Sequence, residues 1–94
     1  MTRKEILATA EKCVNGERQE QYGTPEDNFR TIAEFWQIYL SKKPQPTTID
    51  AHDVAVMMAL LKIARIASGQ IKDDNYIDLA GYAACAGEIA TEDR

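Results

Sequence analysis

A largely apolar stretch between residues 50 and 82 carries a spaced set of charged and polar side chains: Asp50, Asp53, Lys62, Arg65, Asp74, Asn75, Asp78 and Tyr82. Carboxylates are oxygen ligands for Mg²⁺, and bound Mg²⁺ neutralises phosphate and activates water. Lys and Arg bind phosphate directly, and the Arg fork takes two oxygens at once. At 3.6 residues per turn, with Asp50 at zero, Asp53 falls at about −60°, Arg65 at about +60° and Lys62 at about +120°. Asp50 and Asp53 therefore share one end of a helix, and Lys62 and Arg65 share a neighbouring face further along. Asp74, Asp78 and Tyr82 follow at i, i+4 and i+8, so they line one stripe of the next helix. If the two helices pack antiparallel through a short turn, that stripe faces Lys62 and Arg65.

Two readings of these residues carry equal weight from spacing alone. In one, Lys62 and Arg65 hold phosphate and Asp50, Asp53 and Asp78 hold Mg²⁺ in a polar pocket. In the other, Lys62–Asp78 and Arg65–Asp74 are buried ion pairs that fix helix register. A second cluster lies in "RQEQYGTPEDNF", where Arg18, Tyr22 and Asn28 surround a glycine turn at a helix N-terminus. Such a terminus favours anions, and Tyr22 or Trp36 offers a face for a base; the plainer reading makes Tyr22 a lid on the core. Phe29 and Trp36, one heptad apart, read as core, as do Met57 and Met58. His52 reads as a solvated or capping histidine.

The elements that position these residues are four helices and no strand. "TRKE" at residues 2–5 is a capping box, and the first helix stops at "NG", residues 15–16. Thr24 caps a second helix with Pro25 at its first position, running to about Leu40. Two prolines in "SKKPQPT" forbid helix. Thr47 and Asp50 cap a third helix that runs to Ser68 and ends at Gly69. The fourth starts near Asp74 or Asn75, either of which is a good N-cap, and runs to about Ala90. The third helix is apolar nearly all round, which requires cover on all sides. The fourth is rich in Ala and Gly, which permits close helix–helix approach. One domain spanning residues 1–94, folded as an all-α bundle that oligomerises, follows, because so short a chain cannot easily surround its own central helix.

Composition narrows the function further. A hydrophobic fraction of 45% and a charged fraction of 28% are those of a globular chain. A net charge of −4 and a pI near 4.9 argue against duplex nucleic acid and anionic membrane as partners. The apolar run at residues 54–61 is too short to span a bilayer. Cys13 and Cys85, with no leader pattern before them and no zinc spacing, read as reduced, buried thiols of a cytoplasmic protein. No Gly-rich phosphate loop, G-x-S-x-G elbow or H-E-x-x-H is present. A single histidine makes nucleophilic catalysis a poor fit.

Three blocks, "ERQEQYGTPEDNF" with "IAEFW", "DVAVMMALLKIARI" and "DDNYIDLAGYAA", resemble a family of small phage and prophage proteins of unknown function, over nearly the whole chain. That family is similar to the all-α NTP pyrophosphohydrolases of the MazG type and to phage domains associated with nucleotide modification, which share the "YG", "K-x-x-R-I" and "D-x-x-x-Y" blocks. The resemblance implies a MazG-like four-helix bundle, a dimer or tetramer, and a Mg²⁺ site built from E-x-x-E and E-x-x-D. The nearest equivalents here are "DAHD" at 50–53 and "NYID" at 75–78. Asp50, Asp53 and Asp78 keep an acid, while Asn75 replaces one unless Asp74 takes its part. Such a site implies a nucleotide-binding protein without a required cofactor. Arg18, Tyr22, Asn28, Lys62, Arg65, Asn75, Asp78 and Tyr82 would contact the ligand. A phage anti-defence role, sequestering a nucleotide signal in the bacterial cytoplasm, would suit such a protein. The alternatives are a Mg²⁺-dependent pyrophosphohydrolase, with Asp50, Asp53, Asp74 and Asp78 on the metal, and a helical interaction module whose polar cluster is structural.

Overall fold

Local caps set the helices. The computed structural model describes residues 1–15 and 24–92. Thr2 Oγ1 accepts the Glu5 backbone N–H at 3.1 Å and donates to its carboxylate, which starts α1 (Arg3–Asn15). Thr24 accepts the Asp27 backbone N–H at 3.2 Å and starts α2 (Pro25–Ser41), whose first turn carries Glu26 and Asp27 at the positive end of the helix dipole. A connector containing Pro44 and Pro46 separates it from α3 (Ala51–Ala67). Ser68 and Gly69 end α3, and Gly69 takes φ 96°, a left-handed conformation that a side chain would strain. The last helix, α4, covers Asp73–Thr91. Among the described residues there are four helices and no strand, as the periodicity requires.

Two caps differ from the sequence reading. Asp50 alone caps α3: its carboxylate accepts the Asp53 N–H at 2.8 Å, and Asp53 accepts the Asp50 N–H at 3.0 Å. Thr47 instead donates to the Pro44 carbonyl at 3.0 Å inside the connector. At α4 the N-cap is Lys72, with no side-chain cap bond, so the helix starts before Asp74 and Asn75. Asn75 Nδ2 reaches back to the Gln70 carbonyl at 2.7 Å and braces the turn. Competition from this turn contact, absent from any local cap pattern, explains the shift.

Packing is built on α3. Lys62 and Asp78 each stand five residues from the connecting turn, one on each helix, and pair at 2.9 Å. The two helices therefore form an antiparallel hairpin. On the other side, α2 meets α3 through Trp36, whose Nε1–H donates to the Met57 carbonyl at 2.6 Å, and Tyr39, whose hydroxyl donates to Asp53 at 2.7 Å. Ile32, Ala64 and Ala86 are the buried apolar side chains among the described residues. Burying an Ile of this kind contributes about 1.5–3 kcal/mol.

Several apolar expectations change. Phe29 is 68% exposed although it continues the Ile32–Trp36 stripe; an apolar stripe says which face wants cover, not what covers it. Met57 and Met58 are half-buried, as is most of α3. No residue of α1 is buried, and Cys13 and Cys85 are both exposed thiols, because Cys85 faces away from α3. The radius of gyration is 16.0 Å, against about 12 Å for a closed domain of this length. No helix among the described residues is long and apolar enough to cross a membrane.

Candidate functional site

The hairpin brings together much of the polar set of the second half. Lys62 is buried, and its ammonium meets the half-exposed Asp78 carboxylate at 2.9 Å. Antiparallel pairing about that contact places Arg65 level with Asn75 and Met58 level with Tyr82, since each step along one helix is matched by one step back along the other. Arg65 and Tyr82 are half-buried and Asn75 is 5% exposed. The Arg65–Asp74 pair does not form: among the described residues, the ion pairs are Arg30–Asp27, Lys43–Asp53 and Lys62–Asp78. Asp74 is exposed in the first turn of α4, beside the helix dipole's positive end. Arg65 thus keeps a half-buried positive charge with no acid partner among those residues.

A separate knot sits at the start of α3. Asp53 is fully buried, and both of its oxygens accept from the Lys43 ammonium. Tyr39 and the Asp50 backbone complete its partners. The bond from Lys43 above all, then those from the Asp50 N–H and Tyr39, hold the Asp53 carboxyl well below the usual carboxylate range against the opposing effect of burial. Burial, then the hydrogen bond to Asp53 and the charges of Asp53 and Asp50, push the Tyr39 phenol up to about 12.

Asp50, His52 and Asp53 offer ligand atoms within 4.8 Å of one another. Lys43 already neutralises the one buried member, so a cation there would have to displace an ammonium. Nor are the four acids of the pyrophosphohydrolase reading brought together within the chain. Asp53 lies nine residues before Lys62 on α3, about 14 Å along the axis, whereas Asp78 stands beside Lys62 and Asp74 is nearer still to the turn. Asn28 is half-buried in the first turns of α2. Arg18 and Tyr22 lie outside the described residues.

The pattern of one family, described as "Domain of unknown function (DUF6378)", matches residues 5–90. The chain belongs to that family. It is similar to the Gene 55 protein of Mycobacterium phage D29, 40% identical over 87 residues, which are 93% of this chain and 54% of that protein. It is also similar to the Gene 55 protein of Mycobacterium phage L5, 42% identical over 78 residues, covering 83% and 47%. The chain spans about half the length of these curated relatives. No solved structure matches it. The match to DUF6378 takes in α2 and α3 whole and all of α4 but its last residue, and with them the hairpin and the Asp53 knot.

Lys43 and Tyr39 were not legible as site residues. Lys43 sits in a proline-flanked connector, and Tyr39 reads as one more apolar position of α2. One signal was available: Asp53 near the start of an apolar helix requires a counter-charge from outside that helix.

Proposed function

We propose that this DUF6378 chain binds a nucleotide through its phosphates on the α3–α4 hairpin and does not hydrolyse it. One observation carries the reading: Arg65 is a half-buried cation without an acid partner among the described residues, one helical turn from Lys62. A cation partly removed from water is stabilised by an anion, and a phosphate suits the guanidinium fork. Asn75 and Asp78 would bond ribose hydroxyls or orient the two cations, and Tyr82 would face the base or sugar. Arg18, Tyr22 and Asn28 would add further ligand contacts.

Binding without cleavage follows from the acids. In this reading the hairpin is a degenerate MazG-like site, from which the carboxylate set needed for Mg²⁺ has been lost. Asp53 is committed to Lys43 and lies about 14 Å along α3 from the level of Asp78. The binder therefore needs no Mg²⁺. Similarity to phage proteins suits a protein that sequesters a nucleotide signal made by a bacterial host against infection, acting in the host cytoplasm.

The test is a thermal-shift panel of nucleoside triphosphates, cyclic dinucleotides and ADP-ribose derivatives, with and without Mg²⁺, each followed by chromatography of the ligand. The expected result is a ligand that raises the melting temperature and is recovered intact; at a hundred times its Kd it would stabilise by about 2.7 kcal/mol. Recovery as nucleoside monophosphate and pyrophosphate only with Mg²⁺ would establish the hydrolase instead. No shift with any member of the panel would favour the structural reading of the cluster.

A further inference from the structure

The charges of the α3–α4 hairpin say what kind of phosphate it can take. The cations on the two helices are Lys62 and Arg65, whereas α4 carries Asp73, Asp74, Asp78 and Glu88. Lys62 is already matched by Asp78 at 2.9 Å. Lys72, the residue before α4, is engaged within the chain and is followed by two acids. Over residues 62–78 the charges cancel: Lys62, Arg65 and Lys72 stand against Asp73, Asp74 and Asp78. Among the described residues of the hairpin, Arg65 is thus the cation left to match a ligand's charge.

One charge and one fork fit one class of phosphate. A guanidinium presents paired N–H donors to two oxygens at once. A phosphodiester has two non-bridging oxygens and a single negative charge, so Arg65 satisfies both. A terminal phosphate has a third oxygen and carries about −1.5 to −2 at neutral pH, and a triphosphate carries more. That further charge meets acids rather than cations. Asp74 stands about 1.5 Å along the axis from the level of Arg65, and Asp78 about 4.5 Å in the same sense of level. Polyphosphate sites answer such charge with Mg²⁺ or with a loop of free amides. Here the acids are not gathered on one point, and the sequence has no Gly-rich phosphate loop.

We propose that the hairpin selects a nucleotide whose phosphate is a singly charged diester, as in a cyclic mononucleotide or cyclic dinucleotide, over nucleoside mono-, di- and triphosphates. This rests on the nucleotide reading of Arg65 given above and narrows it to a ligand class.

Equilibrium dialysis of the full chain at pH 7.5 without Mg²⁺ tests it with matched probes. These are the 3′,5′-cyclic monophosphates of the four common ribonucleosides, the cyclic dinucleotides of adenosine and guanosine, and the 5′-mono- and 5′-triphosphates of the same nucleosides. One phosphodiester should bind about tenfold tighter, or more, than the mono- and triphosphate of its own nucleoside. Its binding should be lost in Arg65→Leu, with far-ultraviolet circular dichroism showing that the helices remain. At pH 5 the 5′-monophosphate is mostly a monoanion, so its affinity should rise by about thirtyfold over pH 7.5, while that of the phosphodiester stays level. A mono- or triphosphate that binds at pH 7.5 as tightly as any phosphodiester overturns this inference and leaves the nucleotide reading standing. So does a monophosphate affinity indifferent to pH, or phosphodiester binding that survives Arg65→Leu. Absence of binding by every probe overturns the nucleotide reading itself, and this inference with it.

Discussion

The Lys62 ammonium lies 2.9 Å from the Asp78 carboxylate, and the two residues stand equally far from the turn that joins their helices. The pair is asymmetric, since Lys62 is buried and Asp78 is half-exposed. Removing Asp78 leaves a buried charge without its partner, while removing Lys62 leaves a carboxylate that water can reach. Asp78→Ala should therefore cost about 1–2 kcal/mol, less than for a fully buried pair because solvent screens the lost partner. Lys62→Met should stay within about 1 kcal/mol of wild type. Urea denaturation followed by circular dichroism, at one fixed protein concentration, measures both; equal losses would mean that the pair acts as a surface contact.

The Asp53 knot should make stability fall with acid. Its carboxyl is held below its ordinary value of 3.8, so its contribution is complete above that value. It is lost as the pH falls through 3.8 toward the lower folded value. Asp53→Asn should flatten this acid limb and lower the melting temperature at neutral pH, because Lys43 then loses its counter-charge. Tyr39 gives the opposite sign. Its pKa is raised from 10.0 to about 12, so its contribution is present below pH 10 and is lost as the pH rises through about 12. Tyr39→Phe should remove that alkaline dependence. Melting temperatures between pH 2 and pH 12 for the three proteins read out both limbs; an unchanged acid limb in Asp53→Asn would mean that other carboxylates set it.

Trp36 joins α2 to α3 by one hydrogen bond, from its indole N–H to the Met57 carbonyl at 2.6 Å. Trp36→Phe keeps the ring and removes the donor, at a cost of about 0.5–1.5 kcal/mol. Because Trp36 is the chain's single tryptophan, its fluorescence in the wild-type protein reports whether α2 leaves α3 before the helices melt. A fluorescence transition that precedes the loss of circular dichroism would show that α2 docks as a separate unit.

Gly69 ends α3 with φ 96° and has open space where a Cβ would stand. Gly69→Ala should thus report backbone strain alone, at about 1 kcal/mol. A neutral result by denaturant titration would mean that the turn relaxes without disturbing the Asn75–Gln70 brace.

Helix period and cap chemistry made the four elements readable. An antiparallel turn that sets the Asp74–Asp78–Tyr82 stripe against Lys62 and Arg65 made Lys62–Asp78 readable as a pair, while the Arg65–Asp74 pair offered by the same stripe does not form. What escaped were contacts between distant segments. Lys43 reaches Asp53 from a connector with no periodicity, and Asn75 spends its amide on the turn rather than on a cap. The sequence marked Phe29 and the outer face of α4 as apolar without saying what covers them. Burial was overestimated for the same reason: the thiols of Cys13 and Cys85 follow their helices, and both helices face them outward.

Arg65 separates the ligand reading from the structural one most sharply. Without an acid partner among the described residues, its half-buried charge costs desolvation and returns little. Arg65→Leu should leave the ligand-free protein as stable as wild type or more so. In the presence of the nucleotide that stabilises wild type, the same variant should lose the rise in melting temperature, because the bidentate phosphate contact is gone. Arg65→Lys should recover only part of the rise, since an ammonium keeps the charge without the fork. Paired thermal melts of the three proteins, with and without that nucleotide, decide the matter. A ligand-free Arg65→Leu protein that is clearly destabilised would mean that Arg65 holds the fold together, and a full ligand response in Arg65→Leu would place the phosphates elsewhere.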